Sequence, residues 1–141
     1  MVEFTMVIAG KPFTKQRPRF SRRNGRAFTP KATVNFEAVV QEFAAQIFPR
    51  PLEGPIAVDV EAIFEPPPSW SKKKRAAHMG QWHTQRPDRD NIEKAILDGL
   101  NRIAFVDDSQ VAAGSSLKRW GEKAETRVTI RLLDPVPEGK K

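Results

Sequence analysis

The sequence predicts a single α+β domain: a mixed or antiparallel sheet with two main helices on one of its faces. Two short stretches, residues 2–8 and 56–64, alternate apolar and polar side chains as half-buried strands do. Two longer stretches, opening near Thr29 and Asp90, repeat apolar residues at helical spacing. Across all 141 residues there is no internal repeat and no linker-like composition, so one domain spanning 1–141 is expected.

In chain order, Val2, Phe4, Met6 and Ile8 alternate with Glu3 and Thr5, and Gly10-Lys11-Pro12 ends that strand. Residues 17–29 read as a hairpin, because Asn24-Gly25 suits a two-residue turn that needs positive φ twice. Thr29-Pro30 opens a helix, with proline at the first position, where its missing N–H is harmless. Phe36, Val39, Val40, Phe43 and Ile47 form its expected core stripe, and Pro49 and Pro51 stop it. Ile56, Val58, Val60, Ala62 and Phe64 form a second strand, with Asp59 and Glu61 on the solvated side. No helix or central strand can contain Pro66-Pro67-Pro68. The excursion that follows is expected to hold one short helix, capped by Ser71 and stopped near Gly80. A second long helix is expected from Asp90 to about Arg102, with Asp90 and Glu93 as a capping box and Ile92, Ala95, Ile96, Leu100 and Ile103 as its stripe. Val128, Ile130 and Leu132 mark a last strand near 126–133, and 136–141 read as a frayed tail.

The absence of cysteine removes zinc-ribbon, disulfide and cysteine-nucleophile chemistry. No apolar run approaches the ~18–20 residues of a membrane span, and the first residues lack a signal-peptide pattern. A cytoplasmic protein without membrane contact is the expectation. The net charge of +7 is unevenly spread. Between Phe4 and Phe36 there is no acid, while Lys11, Lys15, Arg17, Arg19, Arg22, Arg23 and Arg26 interleave with Phe13, Phe20 and Phe28. That pattern favours contact with nucleic-acid phosphates. A second run, Lys72-Lys73-Lys74-Arg75, fits either DNA contact or a solvated face.

Against this basic background, Asp88 and Asp90 stand two residues apart ahead of a helix, Lys94 lies one turn on, and Asp107-Asp108 follows. Side chains at i and i+2 of an extended segment point the same way. Two close carboxylates repel unless one holds a proton or a cation lies between them. Mg²⁺, which prefers oxygen ligands and keeps its waters, suits such a site, with Mn²⁺ as the alternative ion. A metal-dependent phosphodiesterase is one reading. The other makes Asp90 a helix cap, Lys94 a partner of Asp90 or Asp98, Asp107-Asp108-Ser109 a turn, and the chain a noncatalytic nucleic-acid-binding module. With only His78 and His83 present, a histidine-based metal site is disfavoured.

The run from Pro87 to Leu100, with Phe105-Val106-Asp107-Asp108-Ser109-Gln110-Val111, resembles the signature of the RusA family of Holliday-junction resolvases. The pattern is P-D-x-D-N, a lysine three residues on, D-x-L, then D-D-x-Q-V. Gly10-Lys11-Pro12, the Arg17-Pro18-Arg19-Phe20 segment and Thr29-Pro30 are also similar to that family. The resemblance implies a RusA-like fold and a homodimeric, Mg²⁺-dependent endonuclease that makes paired symmetric nicks in four-way DNA junctions. A family member with a broader branched-DNA or flap preference is the neighbouring reading. By matching position, Asp88, Asp90 and Asp108 would hold the metal and Lys94 would contact the phosphate. Asp107 is the other carboxylate of the later pair. On charge grounds rather than by matching position, Lys72, Lys73 and Lys74 join the N-terminal bases as expected DNA contacts.

Overall fold

The computed structural model describes residues 2–14, 19–20, 25, 27–28 and 31–134, with backbone only at 19, 20, 27 and 28. The element order is β1 (Glu3–Ala9), β2 (Arg19–Phe20), β3 (Ala27–Phe28), α1 (Lys31–Ile47), β4 (Ile56–Phe64), α2 (Lys72–His78), α3 (Arg89–Leu100), β5 (Val111–Trp120) and β6 (Glu125–Leu132). A four-stranded sheet runs in the order β1-β6-β4-β5, and β2 and β3 form a separate two-stranded sheet. β6 is antiparallel to both β1 and β4, while β4 and β5 are parallel. A parallel pair needs a crossover connection, and here that crossover carries α2, α3 and the acidic motif.

The period-2 alternation decides which face of the sheet is covered. Met6, Ile8, Val58, Val60, Ala62, Phe64, Val128 and Ile130 are buried on one face. Val40 and Ala44 of α1, and Ile92, Ile96 and Leu100 of α3, are buried with them in one core. The other face is polar. Asp59 pairs with Arg131 at 3.0 Å, and Glu61 lies between Arg119 and Arg127. The helices pack tightly: a Cβ built on Gly99 of α3 would lie 2.7 Å from Val40 Cβ of α1.

Several expectations are modified. The α1 stripe is narrower than its sequence suggests, because α1 is covered on one side by α3 and β1. Thr33, Val40 and Ala44 fill that side, whereas Val39 and Phe43 are 42% and 40% exposed. The later helix begins one residue earlier than expected, at Arg89, with Asp88 at the cap position. Asp90 therefore sits in the first helical turn, and the expected Asp90–Glu93 capping box does not form. β5 is long, although its sequence shows no clear alternation. Its residues 112–115 are exposed along the sheet edge, so little apolar patterning is needed there. Gly114 has φ 153, and a Cβ on it would lie 2.1 Å from Val58 O, so only glycine fits this point of the parallel pairing.

The excursion helix α2 matches its sequence signals. Ser71 caps it, accepting from the Lys74 N–H at 3.1 Å. β2 and β3 pair antiparallel, and Gly25 has φ 66, in keeping with the hairpin. Asn24, Thr29, Pro30 and the tail from 135 lie outside the described residues.

Candidate active site

The crossover brings two separate stretches of chain to one cleft of about 360 Å³, lined by Asp90, Glu93, Lys94, Leu97, Asp98, Asp108 and Val111. Asp90, Glu93 and Lys94 come from the first turns of α3. Asp108 comes from the single 3-10 turn Asp108–Gln110 that leads into β5. Sequence spacing put Asp90 and Lys94 on one helical face, and the fold adds Asp108 opposite them. Glu93, read as a capping residue, is a further cleft carboxylate that the sequence reading missed. Its i+3 spacing from Asp90 was the available signal.

Asp88 stands apart. It lines a neighbouring depression of about 530 Å³ with Thr14, Arg86, Pro87 and Asn91. The i, i+2 argument assumed extended chain through Asp90, but the helix has already begun there, so that spacing no longer decides how the two carboxylates stand. Among the described residues no three acidic or histidine side chains converge closely enough to enclose an ion unaided.

The hydrogen bonds separate free carboxylates from engaged ones. Asp88 occupies the cap position of α3 yet makes no side-chain capping bond. Among the described residues, Asp90 Oδ1 accepts from the adjacent Asn91 N–H at 3.0 Å and its other oxygen is open. Lys94 forms no ion pair with Asp90 or Asp98 among the described residues. Asp107, by contrast, is structural. Its Oδ2 accepts from Ser109 N–H at 3.0 Å, and its own N–H donates to Gln110 Oε1 at 2.9 Å, completing a capping box. The Ser109 hydrogen bonds hold the Asp107 carboxyl below its ordinary 3.8. Of the acidic pair, the geometry therefore presents Asp108 to the cleft and keeps Asp107 as the cap.

Three side chains hold this arrangement in place. Gln110 Nε2 donates to Leu52 O and Gly54 O, both at 2.9 Å, which ties the acidic turn to the α1–β4 connection. Lys118 of β5 donates from Nζ to Gln85 O at 2.6 Å and Pro87 O at 2.7 Å, anchoring the chain just ahead of Asp88. Arg89 Nη1 donates to Ser116 O at 3.1 Å. All five bonds join segments remote in sequence, so nothing local marked them.

The bases expected at DNA are only partly placed. Lys11 is exposed beyond β1. Lys72, Lys73 and Lys74 lie on α2, where Lys74 Nζ sits 4.2 Å over the Trp70 ring and Arg75 donates to Pro67 O at 3.0 Å. His78 of α2 is 6.0 Å from Trp120 at the far end of β5, about 30 Å of strand from Val111 at the cleft. α2 is thus not part of the acidic site. Lys15, Arg17, Arg22, Arg23 and Arg26 lie outside the described residues, as does the side chain of Arg19.

Comparison with known proteins adds two findings. A family model described as "Endodeoxyribonuclease RusA" matches residues 9–131. The chain is also 35% identical over 137 residues to a Bacillus subtilis (strain 168) protein described as "Uncharacterized protein YqaN", covering 92% of this chain and 95% of that one.

Proposed function

Because the chain belongs to the RusA family of endodeoxyribonucleases, we propose that it resolves four-way DNA junctions by paired symmetric nicks, as a divalent-metal-dependent homodimer. One observation carries the site assignment. In the α3–β5 cleft, among the described residues, Asp90 and Asp108 keep carboxylate oxygens open beside a Lys94 without an ion pair, while the adjacent Asp107 is engaged in capping.

The donor set fits Mg²⁺, which is commonly held by one or two carboxylates and completes its shell with water. Asp90 and Asp108 would be its protein ligands, with Asp88, at the cap position of the same helix, as the third carboxylate. Such an ion supplies charge neutralisation at the scissile phosphate and makes water more acidic. Lys94, fixed on α3, would balance charge that builds on the phosphate or the leaving oxygen. Lys118 and Gln110 keep the two carboxylate-bearing segments in register. The basic N-terminal stretch would hold the DNA backbone and set a steep salt dependence. A four-way junction has approximate two-fold symmetry, and a C₂ dimer would present two equivalent cutting sites to it.

The test is cleavage of a synthetic four-way junction, strand by strand, with and without Mg²⁺. Symmetric nicks are expected in the wild type. Asp90→Asn should remove cleavage and retain junction binding. If Asp90→Asn cuts at the wild-type rate, the site is wrongly assigned. Equal cutting of three-way, flapped and four-way substrates would instead indicate a broader branched-DNA nuclease, and binding without cutting under any metal would indicate a noncatalytic module.

A further inference from the structure

We infer that Lys118 does more than anchor the chain: it is a positioning residue for the reaction, and it acts through Asp88 and no other group of the site. The inference rests on the proposed nuclease reading and deepens it, because it makes a strand residue outside the cleft responsible for placing one carboxylate.

Lys118 lies in β5 opposite Ala62 of β4. Ala62 is buried in the core, and residues directly opposite each other in a sheet face the same side. The lysine therefore rises from the helix-covered side of the sheet, where it is half-buried. Among the described residues it pairs with no carboxylate. A partly dehydrated ammonium without a counter-ion costs folding free energy, and methionine would suit the position better if packing alone mattered. What the lysine gains is two short hydrogen bonds, to Gln85 O at 2.6 Å and to Pro87 O at 2.7 Å. Bonds from an ionised donor are stronger than those between neutral groups. Both hold the segment that leads into α3, and the second ends on the carbonyl whose peptide bond joins Asp88.

The strand also holds the other side of Asp88. Arg89 Nη1 donates to Ser116 O at 3.1 Å, two residues along β5 from Lys118. The residues before and after Asp88 are thus both tied to one strand. That strand starts at Val111, directly after the turn that carries Asp108, so β5 is a common frame for the two carboxylate-bearing segments. The Asp88 side chain itself is not used by the helix. It stands at the cap position, where an aspartate ordinarily accepts from the first N–H groups, yet it makes no such bond. An exposed carboxylate on a backbone fixed from both sides is a group held ready for a ligand. Lys118 does not line the cleft of Asp90, Lys94 and Asp108, and its two bonds end short of them. Its removal should reach the site only by way of Asp88.

The test is a double-mutant cycle between Lys118→Met and Asp88→Asn in the full chain. It is read twice: as Mn²⁺ affinity of the protein without DNA, by electron paramagnetic resonance, and as single-turnover cleavage of a four-way junction at saturating protein. Lys118→Met should weaken Mn²⁺ binding and slow cleavage by roughly 10–100-fold, the usual cost of removing a group that orients a metal ligand. Asp88→Asn should lose at least as much, and the double variant should be no worse than Asp88→Asn alone. Lys118→Arg keeps a charged donor for the carbonyls and should recover most of both signals, which a side chain that only fills space would not require. Urea unfolding should show one cooperative transition for Lys118→Met; if that variant does not fold, Lys118→Gln takes its place in the cycle with the same expectations. Losses that multiply in the double variant would overturn the inference, as would a folded Lys118→Met with wild-type Mn²⁺ affinity and cleavage. A wild type that binds Mn²⁺ but does not nick junctions would sink the nuclease reading alone, and the Mn²⁺ cycle would still decide the coupling. A wild type that does neither would overturn both.

Discussion

Replacing Gln110 with alanine tests whether Asp108 is held in the cleft from a distance. The Gln110 side chain makes three hydrogen bonds of 2.9 Å: it accepts from Asp107 N–H and donates to Leu52 O and Gly54 O. Each such bond has a net value of about 0.5–1.5 kcal/mol. The Asp107 and Gly54 groups are open to water and rehydrate when the side chain is removed, while the Leu52 bond is partly buried. The expected loss is therefore about 1–2 kcal/mol rather than the full sum. The effect on the reaction should be larger. Gln110 closes the same short turn that begins at Asp108, and a shift of about 1 Å in a reacting group can cost roughly 100-fold in rate. Urea unfolding measures the first quantity. Single-turnover cleavage of a labelled junction, at protein concentrations that saturate binding, measures the second. Gln110→Glu is the informative companion. It keeps an acceptor for Asp107 N–H but replaces the donor that holds both carbonyls, so it should fall nearly as far as alanine. A Gln110→Ala protein that loses stability as expected and still cuts at the wild-type rate would refute the coupling between this side chain and Asp108.

Three further outcomes follow from the same geometry. Asp108→Asn should lower cleavage by about 10²–10³-fold, the scale of losing one positioned electrostatic group, whereas Asp107→Asn keeps an acceptor for Ser109 N–H and most of the activity; the reverse order in a cleavage assay would exchange their roles. Gly99→Ala should destabilise the fold by about 1–3 kcal/mol from overpacking against Val40, partly offset by about 1 kcal/mol of helix propensity; a raised Tm would show that α1 and α3 can separate without loss. Burial first, and the charge of Lys118 second, lower the His83 pKa from its ordinary 6.5. The unfolded chain therefore binds this proton more readily than the folded one, so His83 contributes full stability above about pH 6.5 and loses it as pH falls toward the lower folded value. Urea midpoints between pH 7.5 and 5.5 should drop in the wild type and drop less in His83→Phe, and Lys118→Met should raise the His83 pKa in an NMR titration.

The sequence by itself determined the local elements and the chemical inventory. Alternation at Met6 and Ile8 and from Val58 to Phe64 placed both strands on their buried face, because period 2 is a property of the chain and needs no partner. Ser71 announced α2, and helical spacing brought Asp90 and Lys94 together. The Pro87–Leu100 and Asp107–Val111 patterns carried the resemblance that the family match bears out. Only the tertiary structure decided how those pieces are used. The start of α3 put Asp88 at the cap and Asp90 in the first helical turn, a one-residue difference that spacing could not resolve. The pairing of β5 beside β4 brought Asp108 to the cleft, and a strand so poor in apolar residues is specified by its neighbours rather than by its own pattern. Gln110, Lys118 and Arg89 act on carbonyls 27 to 58 residues away. The division between the capping Asp107 and the open Asp108 depends on such contacts. They exist only once the crossover has closed, because a side chain of one type becomes a cap, a ligand or an anchor according to what the fold sets beside it.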